Sequence, residues 1–264
     1  MLRSVFGKSL WDQRRGILGW SLAVAAVGVL YAGFYPSMNN PEMAAAIRAF
    51  PQGLLEALGM TDITSPAGYL GSTTYGILGP VLMVIFAGTL GVRAIAGDEE
   101  AGRLDVLLAH PVERWAVVVQ RAAAMAVALA VAGALLFVAM LVASGPAQFE
   151  EVGAGNLAAA TVQLVLLALL FGALGLAAGA LTGSRGLAWG VVAGVAVLTY
   201  LANTMGPTVD VLAWSQDVSP WFYYSGGRPL ANGFQAVDAA VLAATTLVLV
   251  VIAVIGFRRR DIAV

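Results

Sequence analysis

Six long stretches of this chain are apolar enough to leave water, and nothing else in the sequence constrains the fold as strongly. They fall at about 16–36, 74–95, 117–143, 157–182, 187–206 and 237–257, each mostly Ala, Val, Leu and Gly. A bilayer's hydrocarbon core takes roughly 20 consecutive apolar residues per helix, so each run is long enough to cross it. In hydrocarbon the backbone must satisfy its own hydrogen bonds, and continuous rather than alternating apolar runs do so as helices. The expectation is an all-α integral membrane protein with six transmembrane helices, and residues 1–264 forming a single transmembrane domain. Charged residues make up only 11% of the chain, which leaves no room for a large soluble unit.

Orientation follows from the basic residues. With the N-terminus in the cytoplasm, Arg3, Lys8, Arg14, Arg15, Arg93, Arg103, Arg114, Arg121, Arg185, Arg258, Arg259 and Arg260 fall on the cytoplasmic side, leaving Arg48 and Arg228 outside. Twelve of the fourteen basic residues on one side is the bias expected when Lys and Arg resist translocation, and six spans return the C-terminus to the same side. The first run is longer than a signal-peptide core and lacks a small-x-small cleavage site before Tyr35-Pro36, so it reads as a signal anchor.

Three connecting segments carry amphipathic patterns. Leu2, Val5, Phe6, Leu10 and Ile17 recur near helical spacing beside Lys8, Arg14 and Arg15, which predicts an N-terminal interfacial helix on the inner leaflet. Two short surface helices are expected across Pro41–Gly59, interrupted at Pro51. The stretch Met205–Val237 holds Trp214, Trp221, Phe222, Tyr223 and Tyr224, residues suited to the outer headgroup level.

The loop at 97–114 between spans two and three gathers Asp98, Glu99, Glu100 and Asp105. Within it Leu104, Leu107 and Leu108 share a helical face that ends at Pro111. The spacing predicts a short amphipathic helix on the cytoplasmic surface, with acids at its positive end. From physics alone its acids serve equally as a docking site or as a solvated offset to nearby arginines.

This block resembles the coupling region of the ABC-2 family of ABC transporter permeases, in which an acidic pair, a glycine, a leucine-rich turn and a Pro-x-x-Arg step follow in order. Here these are Glu99, Glu100, Gly102, Leu104, Leu107, Leu108, Pro111 and Arg114, with Asp105 and Arg103 standing where Glu and Thr are common. The N-terminal helix, the six-span layout, the Ser219-Pro220 aromatic loop and the terminal Phe257-Arg258-Arg259-Arg260-Asp261 add looser likeness. The resemblance implies a type V exporter-like permease in a bacterial cytoplasmic membrane. It implies that Asp98, Glu99, Glu100, Gly102, Arg103, Leu104, Leu107, Leu108, Pro111 and Arg114 couple the chain to a separate ATPase subunit, present in two copies. A second permease copy or paralogue completes the complex, since six spans are half the family's usual complement.

The residues agree with that division of labour. A phosphate-binding loop needs Gly-x-x-x-x-Gly-Lys-Ser/Thr; Gly7-Lys8-Ser9 is the only candidate, and Leu2 stands at its first glycine. No cofactor is expected in this chain, ATP and Mg²⁺ being bound by the partner, and membrane lipids rather than nucleic acid are its surroundings. A metal-dependent lipid-modifying enzyme is disfavoured because the acids lack downstream aspartates one and two turns away. His110, the single histidine, lies beside Pro111 without a nucleophile. A secondary transporter would place ionisable groups within its spans, whereas these carry mild groups that hydrogen-bond mostly between helices. Gly175, Gly179 and Gly183 on span four, and Gly190 and Gly194 on span five, predict close helix packing, within one subunit or across a dimer.

A hydrophobic or amphipathic cargo suits such a conduit. The family's fold implies cargo contact between spans two and five, where Tyr75, Thr199, Tyr200 and Asn203 supply hydroxyl and amide groups. Asn203 serves either cargo or an interhelical hydrogen bond.

Overall fold

The computed structural model of the protein describes residues 4–38, 65–108, 112–206 and 214–260, with the backbone alone at residues 105, 106 and 108. Among the described residues the chain runs α1 (Val5–Ala32), α2 (Tyr35–Met38), α3 (Pro66–Ser72), α4 (Gly79–Val92), α5 (Asp98–Glu100), α6 (Arg103–Leu108), α7 (Arg114–Ala143), α8 (Ala154–Thr182), α9 (Arg185–Met205), α10 (Pro220–Ser225), α11 (Pro229–Asn232) and α12 (Ala236–Arg259), with no strand. Six runs are long and apolar enough to span a membrane: Val5–Met38, Pro66–Glu100, Arg114–Ala143, Ala154–Thr182, Arg185–Met205 and Ala236–Arg259. The expected surface helices across Pro41–Gly59 lie outside the described residues.

The first span begins well before its apolar run. The N-terminal amphipathic segment connects directly into it as the opening turns of α1, which continues unbroken to Ala32. No proline interrupts it, and the Ser4 hydroxyl caps its start by accepting the Gly7 N–H at 3.1 Å. The Phe6 N–H donates to Gln120 Oε1 on α7, so these turns already belong to the bundle.

The second span is longer than its apolar run and is not a uniform α-helix. Five-residue π-helical stretches at Thr74–Leu78 and Arg93–Gly97 flank α4, each inserting one residue per turn and re-aiming the side chains that follow. One lies at each end of the bundle, beside the two groups of polar residues described below.

At the centre is α8, packed against α4, α7, α9 and α12. Its closest approach is to α4: a Cβ on Gly91 would fall 2.0 Å from the Gly172 carbonyl oxygen, so only hydrogen fits there. Gly175 and Gly179 continue the contact against Val92 and Ala96. Gly183 has another purpose, ending α8 in the left-handed conformation at φ 66°. On α9 the second glycine series meets nothing, since a Cβ on Gly190 or Gly194 would have no heavy atom within 4 Å.

Span hydroxyls also depart from expectation. Thr89, Thr161, Thr182, Thr199 and Thr204 each donate to the carbonyl four residues earlier on their own helix. In an apolar surround that carbonyl is the nearest acceptor, and it satisfies the group without a neighbour. Between spans the Tyr75 hydroxyl meets Thr161 Oγ1 at 2.9 Å; because the Thr161 proton goes to Leu157, Tyr75 is the donor.

Candidate functional site

Polar side chains gather at opposite ends of the bundle. At one end, α5 and α6 fold back from the second span through Gly102, whose φ of 64° gives the left-handed turn that a side chain would strain. Leu104 is then fully buried in a small cluster with Ile95, Val118, Leu176 and Phe257. Leu107 packs on its edge, while the Leu108 side chain and residues 109–111, including Pro111, lie outside the described residues.

The acids of this segment face their own chain. Asp98 accepts Arg103 Nη2 at 2.6 Å on one oxygen and pairs with Arg121 Nη2 of α7 at 2.8 Å on the other. Glu99 pairs with Arg260 beyond α12. The same guanidinium donates to the Ala180 carbonyl at 3.1 Å, covering the negative end of α8. The backbone carbonyl of Arg260 accepts Arg114 Nη1 at 2.9 Å. Glu100 Oε1 accepts the Arg185 N–H at 2.7 Å, a carboxylate at the positive end of α9. The sequence-predicted block at 97–114 is thus tied to the third, fifth and sixth spans. Its arginine partners Arg121, Arg185 and Arg260 were not legible as such, because pairing over 23 to 161 residues leaves no local pattern.

At the other end a cavity of about 310 Å³ opens between the second and fifth spans, α10 and α11. Tyr75, Tyr200 and Asn203 line it together, with Trp221, Tyr224 and Arg228 from the aromatic loop. Thr199 is not in the lining: it stands behind Trp221, accepting the indole N–H at 3.1 Å. The Tyr200 ring meets Trp221 edge-on at 5.2 Å. The Tyr224 hydroxyl donates to the Tyr75 carbonyl, and burial pushes that phenol well above its ordinary value, with Tyr75 adding to the shift. The phenol therefore remains a neutral donor.

Placing the aromatic loop at the headgroup level missed its inward face. Ser219 caps α10 through the Trp221 N–H, and Trp221 and Tyr224, three residues apart, turn to the same side as buried residues. That i, i+3 spacing after Ser-Pro was the available signal. Arg228 adds the only cation in the cavity lining and forms no ion pair among the described residues.

Chemically, one end is rich in charge pairs and the other is an aromatic recess with neutral hydrogen-bonding groups and one cation, Arg228. Among the described residues no group of three His, Cys, Asp or Glu is placed to hold a metal. Such a recess can bind an apolar or amphipathic molecule. No curated protein matches the chain. The sequence model described as "Multidrug efflux system permease Rv1217c, C-terminal domain" matches residues 2–258, nearly the whole chain. The protein is therefore a multi-pass membrane protein and belongs to that family of multidrug efflux permeases.

Proposed function

We propose that this chain is the permease subunit of an ABC-2-type exporter in a bacterial cytoplasmic membrane, moving a hydrophobic or amphipathic cargo with energy from a separate ATPase subunit. Two ATPase copies bind ATP and Mg²⁺, and a second permease copy or paralogue pairs with this one. The charged end is cytoplasmic, so both termini are inside. The loop at 97–114 receives the ATPase, and cargo passes the recess lined by Tyr75, Tyr200 and Asn203, with Thr199 supporting it.

One observation carries this reading. A segment that transmits motion must be fastened to the helices it moves, and Asp98, Glu99 and Glu100 fasten the 97–114 block to α7, to Arg260 after α12 and to α9. Pairing with a second copy is supported by the exposed face of α9, where Leu187 and Leu198 flank glycines that meet nothing among the described residues.

The test is E99A/E100A in inside-out membrane vesicles, with an affinity tag on this chain. Wild-type protein should bring down an ATPase subunit, and external ATP should be hydrolysed faster when cargo is present. The double variant should lose that stimulation about 30-fold, as expected from two lost charge-assisted contacts at roughly 1 kcal/mol each. Should co-purification and stimulation both persist unchanged in the variant, the coupling role is wrong. Hydrolysis seen only in right-side-out vesicles would overturn the orientation.

A further inference from the structure

A second cavity, of about 140 Å³, opens at the charged end between α1, the second span and α7. Four cations line it, Lys8, Arg93, Arg103 and Arg121, against two carboxylates, Asp12 and Asp98. Both Asp98 oxygens are already taken by Arg103 and Arg121. Lys8 and Arg93 form no ion pair among the described residues. The Arg121 side chain is nine-tenths buried, yet its Nε–H has no acceptor among the described residues. A buried guanidinium donor left without an acceptor is costly, and a planar fork with an excess of neighbouring positive charge matches the oxygens of a phosphate.

The depth of the site indicates where that phosphate comes from. Trp11 on α1 is 57% exposed and carries the Arg14 guanidinium 4.1 Å above its ring, an arrangement suited to the membrane–water boundary. Further along the same helix Leu18 and Leu22 are 58% and 60% exposed, an apolar surface suited to acyl chains. A basic recess between spans, on a helix whose outer face is exposed and apolar, fits a lipid headgroup better than a free ion.

We propose that this cavity binds the phosphodiester of an anionic phospholipid, its oxygens among Lys8, Arg93 and Arg121 and its chains along Leu18 and Leu22 of α1. The site lies at the opposite end from the aromatic recess and does not depend on its cargo.

The experiment places the purified protein in phosphatidylcholine nanodiscs, titrates in phosphatidylglycerol, and counts retained lipid by native mass spectrometry. One phosphatidylglycerol should be retained per chain, with phosphatidylcholine released. The K8Q/R93Q variant alters no ion pair among the described residues. It should weaken retention about 25-fold, since each basic residue at an anionic surface contributes on the order of a factor of five. The R14Q/R15Q variant removes the same charge from α1 outside the cavity and should weaken it less than about fivefold. Equal losses in the two variants would reduce the effect to diffuse attraction and overturn the site. Absence of retained phosphatidylglycerol would do the same. Inorganic phosphate binding as tightly as the lipid would overturn the lipid assignment.

Discussion

Two consecutive spans, α8 and α9, are joined by a turn at Gly183 and Ser184, and they meet opposite fates. Of the most apolar stretch in each, 72% is buried in α8 and 11% in α9. Both are rich in glycine at four-residue spacing. In α8 those glycines admit the backbone of α4; in α9 they open onto nothing. In a soluble protein a face like that of α9 would be driven inward, but lipid is as apolar as leucine and imposes no such demand. Burial within this bundle is therefore decided by shape, and apolarity settles only that a helix is in the membrane.

The contrast can be broken most severely at the glycines. Gly172→Leu should cost about 3 kcal/mol by driving a side chain against Met125 of α7 and the Ala87 carbonyl of α4, read as a large fall in the thermal midpoint of the detergent-solubilised protein. Gly190→Leu should stay within about 0.5 kcal/mol of wild type in the monomer. Equal losses at both positions would mean that α9 is packed as tightly as α8. Weakened self-association in Gly190→Leu alone would instead show that a second copy covers the open face.

A smaller effect tests what holds α9 in place. Its clearest tie outside α8 is Trp221, whose indole N–H reaches the Ala196 carbonyl at 3.2 Å and Thr199 Oγ1 at 3.1 Å. Trp221→Phe keeps a ring but removes the donor and should cost about 1 kcal/mol. Hydrogen exchange should rise along α9 and not along α8; a uniform rise would show that Trp221 supports the whole bundle. The smallest stability effect is expected at Asn203→Leu, below about 0.5 kcal/mol, because among the described residues Gln216 Nε2 bonds its backbone carbonyl rather than its amide. The range or apparent affinity of exported compounds should change. An unchanged profile with a lowered midpoint would make Asn203 a packing residue.

Much of this architecture was legible because the signals are local. Apolar run length located six spans, and the Pro66–Ser72 and Asp98–Glu100 extensions of the second escaped because polar and small residues dilute the pattern there. Gly183 read as a packing rung because spacing alone does not distinguish a helix end from a helix face. At the charged end the acids were legible as a cluster, but their direction was not. Whether Glu99 looks outward to a partner or inward to Arg260 depends on two helices meeting, and no short window contains both. The recess follows the same rule: Tyr75, Tyr200 and Asn203 stood out as polar groups in apolar runs, whereas Trp221 and Tyr224 read as boundary aromatics until α10 turned them inward.

The pairing of Glu99 with Arg260 has a consequence for how the molecule comes into being. The two residues are 161 positions apart, so the second helix enters the membrane long before its counter-charge has been synthesised. Until the sixth helix arrives, Glu99 must be held in water, and the last carbonyls of α8 lack the Arg260 donor beside it. Arrival of Arg260 discharges both at once. The charge pair at this end of the bundle can therefore close only after the last helix is in place.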